Sequence, residues 1–534
     1  MRRAFSSWGH PAAADGTSRQ LLRRPRTFST KIAPFDPRVS VASDDHRVVR
    51  LEWSDASVLV HADWLRDNCS TARHPATTQK VRGPMDMGED GVFVSEAVSG
   101  ASSTCPQVVI RWSDNCTSSY ESQWLRSALL PDTSPSPSPS PSAVGAVPKP
   151  VRVADPAASV SASSAVPASS FAVMSAPAVG LASLPRRTTP PVATGRASAA
   201  RTSAVDPLER ALRADGELPR VDYEDVMGGE AGVYEWAKQL METGICLVEN
   251  VPQEPGHVAK VAGRVAWPLQ TLYGTTFDVR VDKSPINIAN TSERLRPHMD
   301  LPYYESPPGL QLLHCIAFDH KQVAGGESTF FDTFVLAEIL RRKDPAAFEI
   351  LCTVPATFQK DHLDRKKPAQ YFYRRPHINR NHLGQVNSVF WSPAFEGSLV
   401  LDGELAGNPE KVAAYYEAYR LFSGLLEDEE VKKEWGVEFK LAPGTLVSFN
   451  QRRLLHGRNA FLSTPSSEET QATGTAADNQ GGGAASRYER WFEGCYVSMD
   501  EYLNRFRTLH LAHGGGARGV DSAKSFVGNG SFRL

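Results

Sequence analysis

The sequence predicts a mainly β protein: a double-sheet β-barrel carrying side helices, preceded by a small β-rich N-terminal domain. Three observations predict this. Short strand-like runs recur between residues 206 and 510 with few helical patterns among them, which argues against a parallel α/β sheet. Period-two alternation appears earlier, in RVVRLEWSDASVLVHADWL and again in QVVIRWSDN. Between the two regions lies residues 133–205, which open TSPSPSPSPS and hold one acidic residue, Asp155. Such a stretch cannot bury enough apolar surface to offset its ordering entropy and reads as a disordered linker.

Taken in order, residues 1–35 come first. Residues 1–34 carry seven basic side chains (Arg2, Arg3, Arg19, Arg23, Arg24, Arg26, Lys31) and one acidic residue, Asp15. With their Ser, Thr and Ala content this is the composition of an organelle transit peptide, mitochondrial first and plastid second; a basic tail on a cytoplasmic protein is the alternative. Residues 36–132 form the β-rich N-terminal domain. From 206 the globular pattern resumes. YEWAKQLMETG reads as an amphipathic helix ending at Gly244, and GICLVENV as a buried strand. Residues 406–434 predict one long helix, with Asn408 as its cap and Pro409 at its first turn. FKLAPGTLVSFN, RRLLHGRNAF and ERWFEGCYVS read as strands; residues 463–485 are a low-complexity loop, and 511–534 a flexible tail.

Bulk properties exclude several function classes. The 58 basic and 60 acidic residues nearly balance, so no global attraction to nucleic acid or an anionic membrane is expected. No run approaches the ~18–20 apolar residues of a membrane helix, and a soluble protein is expected. Seven scattered cysteines do not form a disulfide framework and suggest a reducing compartment.

The chemistry concentrates at PHMDLPYYESPPGLQLLHC, residues 297–315. In a strand, His298 and Asp300 share one face and Met299 takes the other. An imidazole and a carboxylate aimed at one point make half of a metal site. RLLHGR supplies His456, 158 residues later. Two histidines and a carboxylate on one face of an octahedral ion leave positions open, the arrangement of non-haem Fe(II) oxygenases. The alternatives are a surface polar pair at 298 and 300, and His314 as the third ligand, although its apolar neighbours suggest a satisfied core histidine. A 2-oxoglutarate co-substrate chelating the iron needs a fixed cation for its far carboxylate, and Arg490, 34 residues after His456, offers a bidentate fork. A rim salt bridge is the plainer use of that arginine.

The stretch 273–332, with FNQRRLLHGRNAF and ERWFEGCY, resembles the gamma-butyrobetaine and trimethyllysine dioxygenases, which are TauD-like Fe(II)/2-oxoglutarate enzymes. The similarity spans roughly residues 210–510. It implies a distorted double-stranded β-helix (jelly roll) with flanking helices. It further implies His298, Asp300 and His456 as iron ligands, Arg490 on the distal carboxylate of 2-oxoglutarate and Asn287 assisting it. Four positions match an aromatic cage for a trimethylammonium group: Tyr273, Phe277 and Tyr496 are aromatic, and Asn290 stands where the gamma-butyrobetaine enzymes have tyrosine. WSPAFEG, residues 391–397, departs from the Asn-rich stretch of those enzymes.

WLRDNC at 64–69 and IRWSDN at 110–115 resemble the small domain that precedes this catalytic domain, where the family often holds a structural zinc. Cys69, His74 and Cys116 fall near ligand places, Thr71 replaces a thiolate, and His61 or Cys105 could complete the set; a metal-free domain is the alternative. The implied activity is hydroxylation of an unactivated C–H in a small quaternary-ammonium amino acid, with O2, 2-oxoglutarate and ascorbate. The alternatives are a related dioxygenase on another amino or sulfonic acid, or a non-catalytic relic. A homodimer follows from the resemblance alone.

Overall fold

The structure, a computed structural model, describes residues 37–74, 77, 79–87, 93–100, 106–130, 218–281, 285, 287–363, 368–463 and 490–514. The expected transit peptide, the linker, residues 464–489 of the loop region, the tail beyond 514 and Cys105 lie outside the described residues. No helix among the described residues is long and apolar enough to cross a membrane.

The N-terminal block carries two three-stranded antiparallel sheets, β1 (Arg38–Val41), β2 (Val48–Glu52), β3 (Ser57–His61) and β4 (Val94–Gly100), β5 (Gln107–Trp112), β6 (Thr117–Glu121). The alternation of RVVRLEWSDASVLVHADWL ends sooner than expected: Ala62–Asp67 is a helix, and the His61 side chain caps it by accepting from the Asp63 amide. The buried core of the block is continuous with that of the following portion. Val49, Leu51, Trp64 and Trp112 belong to one buried cluster with Met299, Trp391, Tyr416 and Phe422. WLRDNC makes this junction. Trp64 Nε1 donates to Leu399 O at 2.8 Å, Arg420 pairs with Asp63 at 2.9 Å, and Tyr416 donates to Asp67 Oδ2 at 3.2 Å.

The catalytic portion is built on two sheets. Six strands, β7 (Arg220–Asp222), β8 (Ile245–Glu249), β9 (Phe277–Val279), β11 (Leu310–Phe318), β19 (Leu446–Asn450) and β22 (Arg490–Val497), run in the order β7-β8-β19-β11-β22-β9. Four strands, β10 (Leu295–His298), β13 (Ser328–Asp332), β18 (Gly436–Phe439) and β20 (Leu454–Arg458), run β10-β20-β13-β18. Apart from the consecutive β7 and β8, neighbours within these two sheets are far apart in sequence, and among the described strands only the β7–β8 pair is parallel. Phe330 of one sheet meets Phe449 of the other edge-on, 5.0 Å between centroids. Burying each such ring contributes about 2–3 kcal/mol. Three two-stranded ribbons flank the sheets: β12 (Val323–Gly325) with β21 (Phe461–Ser463), β14 (Pro355–Asp361) with β15 (Gln370–Pro376), and β16 (Ile378–Arg380) with β17 (Val386–Val389).

Helices cover the outer faces. Helix Glu230–Thr243 ends where the sequence predicts, with Gly244 in the left-handed region at φ 80°. It packs with Met499–His513 over Leu310, Leu312, Cys495 and Val497. The long helix expected over 406–434 is two. Asn408 caps Pro409–Glu427 by accepting from the Lys411 amide, and Asp428 then leaves helical geometry to cap Glu429–Trp435 through the Val431 amide. An aspartate that competes for backbone donors breaks the helix despite the continuous apolar period.

Candidate active site

Antiparallel pairing of β10 with β20 sets His298 directly opposite His456, and their rings lie 4.3 Å apart. Gly457 lets the strands approach, since a Cβ there would stand 2.8 Å from Leu295 O. Asp300 is not on the strand, as the period-two reading had it. β10 stops at His298, and the chain turns through Leu301 at φ 59°, a left-handed conformation uncommon for leucine. The turn still brings the carboxylate back. Asp300 Oδ1 lies 3.6 Å from His298 Nε2, and Oδ2 lies 3.8 Å from His456 Nε2. Both separations are longer than a hydrogen bond. Among the described residues this is the only group of three or more His, Cys, Asp or Glu ligand atoms gathered within 4.8 Å.

Neighbouring groups orient the donors. His298 Nδ1 is 2.8 Å from Arg296 O, which places the ring proton there and leaves Nε2 as a free lone pair. Asp300 Oδ2 accepts from Gln311 Nε2 at 2.9 Å and from the Tyr496 hydroxyl at 2.8 Å, while the Asp300 amide donates to Gln451 Oε1. Burial alone would raise the Asp300 carboxyl, but the positive charge that the His298 and His456 imidazoles carry when protonated, with the hydrogen bond from the Tyr496 hydroxyl, outweighs it and holds it well below the ordinary carboxylate range. Burial, then the neighbouring His298, pushes His456 down to about 3. An ionised carboxylate beside a neutral imidazole is the protonation state a metal requires. The donor set and the open gap between its atoms fit a divalent iron.

One cavity gathers the candidate residues: Tyr273, Phe277, Asn287, Asn290, His298, Asp300, His456, Arg490 and Tyr496 all line it. About 820 Å³ lies between its walls, the open mouth included. At one end stands Arg490, 7% exposed, with the Phe492, Phe461 and Phe318 rings 4.2, 5.3 and 5.5 Å from its guanidinium carbon. Burial pushes it down to about 10. Its Nε has no hydrogen-bond partner and no carboxylate pairs with it among the described residues. A buried cation without a counter-ion is costly, and it fits the far carboxylate of 2-oxoglutarate. The rim salt bridge considered above is absent among the described residues.

At the other end Tyr273 and Phe277 stand 6.2 Å apart with planes tilted by 52°. Tyr496 stacks on Phe277 at 4.9 Å, so these two rings cover one another. Gly494 makes room for Phe277, because a Cβ there would sit 2.4 Å from its ring. The Asn290 amide is turned to Arg280 O at 3.1 Å, and Asn287 Nδ2 reaches the Tyr273 hydroxyl at 3.4 Å.

Other candidates fall elsewhere. His314 is fully buried on β11, on the face opposite Gln311 and Leu313; neither ring nitrogen has a partner, and burial pushes it down to about 4. It is a core histidine, as its neighbours suggested, but not the satisfied one expected, since neither ring nitrogen is hydrogen-bonded among the described residues. Cys69, His74 and Cys116 do not gather as a metal group among the described residues. Cys69 Sγ instead lies 3.0 Å from Thr71 Oγ1 and accepts from Ser118 at 2.9 Å, His74 Nδ1 accepts the Thr77 amide, and His61 caps a helix. Sequence reasoning missed Gln311, Gln451 and Arg458. Arg458 donates to Ala289 O, Thr291 O and Glu293 O, pinning the loop that carries Asn290. Its place two residues after His456 was the available signal.

A gamma-butyrobetaine dioxygenase of Pseudomonas sp. (strain AK-1) is 26% identical over 91% of this chain and 98% of its own. The human gamma-butyrobetaine dioxygenase is 29% identical over 55% of this chain and 67% of its own. The trimethyllysine dioxygenase of Meyerozyma guilliermondii is 25% identical over 56% of this chain and 66% of its own. Residues 204–473, half of the sequence, match the taurine catabolism dioxygenase TauD, TfdA family; the chain belongs to that family and is a 2-oxoglutarate-dependent dioxygenase.

Proposed function

We propose that the protein hydroxylates an unactivated C–H bond of a small quaternary-ammonium amino acid, gamma-butyrobetaine or trimethyllysine, as a step in carnitine formation. The observation that carries this reading is a single cavity shared by the His298–Asp300–His456 group, Arg490, with which no carboxylate pairs among the described residues, and the Tyr273–Phe277 rings. Iron and 2-oxoglutarate, when bound, supply the oxidising power: O2 and 2-oxoglutarate are consumed, succinate and CO2 leave, and one oxygen atom enters the substrate.

The chain's own residues do the rest. His298, Asp300 and His456 would hold iron through Nε2, a carboxylate oxygen and Nε2. Gln311 and Tyr496 fix the carboxylate by donating to Oδ2. Arg490 receives the far carboxylate of 2-oxoglutarate in a site walled by phenylalanines, where weak solvent screening strengthens the attraction. Asn287, beside the Tyr273 hydroxyl, lines the same cavity and assists. Tyr273 and Phe277 attract the cationic end of the substrate by their ring faces. Fixing this end aims one carbon at the metal. Ascorbate would supply the reductant for iron once it is bound. The basic, acid-poor residues 1–34 support a mitochondrial destination.

A second reading follows from Asn290, whose amide is spent on backbone carbonyls, and from the mutual stacking of Phe277 and Tyr496. Both narrow the aromatic surface and favour another amino or sulfonic acid. Succinate release with gamma-butyrobetaine, trimethyllysine and taurine offered in turn separates the readings. Stimulation by a trimethylammonium compound supports the first, and stimulation by taurine alone overturns it.

A further inference from the structure

Asn287 and Asn290 belong to a short 3-10 turn, Ile288–Asn290, that forms part of the cavity wall. The first amides of such a turn have no partner within it and need outside acceptors. Asn287 Oδ1 takes the Ala289 amide at 3.3 Å. The Ile288 amide, in a residue only 6% exposed, donates to Gln79 Oε1 at 2.7 Å, across 209 residues of sequence. No residue of the catalytic portion supplies that acceptor.

Gln79 is itself held firmly. It is 4% exposed, and its carbonyl accepts the His74 amide at 2.8 Å. The next residue, Lys80, donates its amide to Ala394 O at 3.1 Å and its ammonium to Asp67 at 2.8 Å, with both partners of that ion pair buried. Arg458 grips the other side of the same loop through the carbonyls of residues 289, 291 and 293. The turn is therefore clamped between the N-terminal block and β20, and Gln79 supplies one jaw.

We propose that Gln79 is a positioning residue for the substrate end of the active site, acting through the Ile288 amide to hold Asn287, Asn290 and, through Asn287, the Tyr273 hydroxyl. The N-terminal block thus completes the catalytic cavity rather than serving as a separate docking module. This inference rests on the dioxygenase reading above only in its kinetic arm.

The test compares the full-length protein with Gln79→Met, which keeps the volume and loses the acceptor, and Gln79→Glu, which restores it. Amide hydrogen exchange over residues 287–293 is expected to speed up at least ~5-fold in Gln79→Met and to return toward wild type in Gln79→Glu, with residues 447–457 unchanged. With gamma-butyrobetaine as probe, KM is expected to rise several-fold, and a larger share of 2-oxoglutarate to be consumed without hydroxylation, while KM for 2-oxoglutarate, which Asn287 only assists, rises less. Lys80→Met, which breaks the ion pair with Asp67 but keeps the Gln79 acceptor, should lower the melting temperature without this pattern. Should Gln79→Met not fold, Gln79→Asn withdraws the acceptor more gently and is read the same way. Unchanged exchange at 287–293, or faster exchange with no change in KM or coupling, overturns the proposal. A wild-type protein inactive on gamma-butyrobetaine overturns the substrate reading instead and leaves the exchange result to decide the role of Gln79.

Discussion

The Tyr496 hydroxyl donates to Asp300 Oδ2 at 2.8 Å while its ring stacks on Phe277 at 4.9 Å. One side chain thus joins the proposed metal carboxylate to the aromatic end of the cavity. Its resemblance-based role was a wall for the substrate cation, and the geometry gives it a second task. Tyr496→Phe keeps the ring and removes only the hydroxyl. It should cut iron affinity or turnover by about tenfold, in the range seen when an outer partner of a metal ligand is lost, with little change in substrate KM. Iron titration beside steady-state kinetics checks this.

Tyr273→Ala should show the opposite split. It touches no proposed metal ligand and contributes a ring face, so its loss should raise KM for a trimethylammonium substrate by roughly 5–30-fold, the size of a partly desolvated cation–π contact of ~1–2 kcal/mol. Iron binding should be unchanged.

Arg490→Met leaves the phenylalanine-walled site filled but uncharged. Losing a hydrogen bond to a charged group costs ~1.5–3 kcal/mol, so KM for 2-oxoglutarate should rise by about 10–100-fold. Because no carboxylate pairs with Arg490 among the described residues, the variant should be no less stable than wild type in thermal melting.

Acid stability follows from buried groups away from the metal site. Burial pushes His377 down to about 4, below the ~6.5 of an unfolded histidine. Between these values the unfolded chain binds the proton and the folded one does not, so stability falls as pH drops from 6.5 toward 4, by about 3 kcal/mol from this residue. Glu396 acts in the opposite sense. Burial raises it to about 7, so the folded state takes up a proton first and gains stability as pH falls from about 7 toward 4.5. Denaturant unfolding at pH 7.5 and 4.5 should therefore show a smaller acid loss in His377→Asn than in wild type, and a larger one in Glu396→Gln.

Much of the site was legible in the sequence because its residues sit in short motifs with strand or turn chemistry. His456 in LLHGR and Arg490 at the head of β22 need only the alternation of their own strands to face inward. Asp300 was found by its partner rather than by its period, since the strand ends at His298 and a left-handed Leu301 makes the turn. Gln311 sat unread in GLQLLHC because amide donors leave no spacing signal. The bond between Gln79 and Ile288 joins segments 209 residues apart, and no local pattern announces such a contact. The cysteines at 69 and 116 show the converse: residue types suited to zinc were visible, and only geometry shows that they do not gather with His74 among the described residues.

The central claim is that residues 298, 300 and 456 hold one ferrous ion with room for 2-oxoglutarate. Anaerobic titration of the protein with Fe(II) and 2-oxoglutarate, followed by visible absorption, tests it most directly. A charge-transfer band that requires both components, and is lost in His456→Ala and in Asp300→Ala, is the predicted result. A band of full strength in either variant, or its absence from a folded wild-type protein, would contradict the claim.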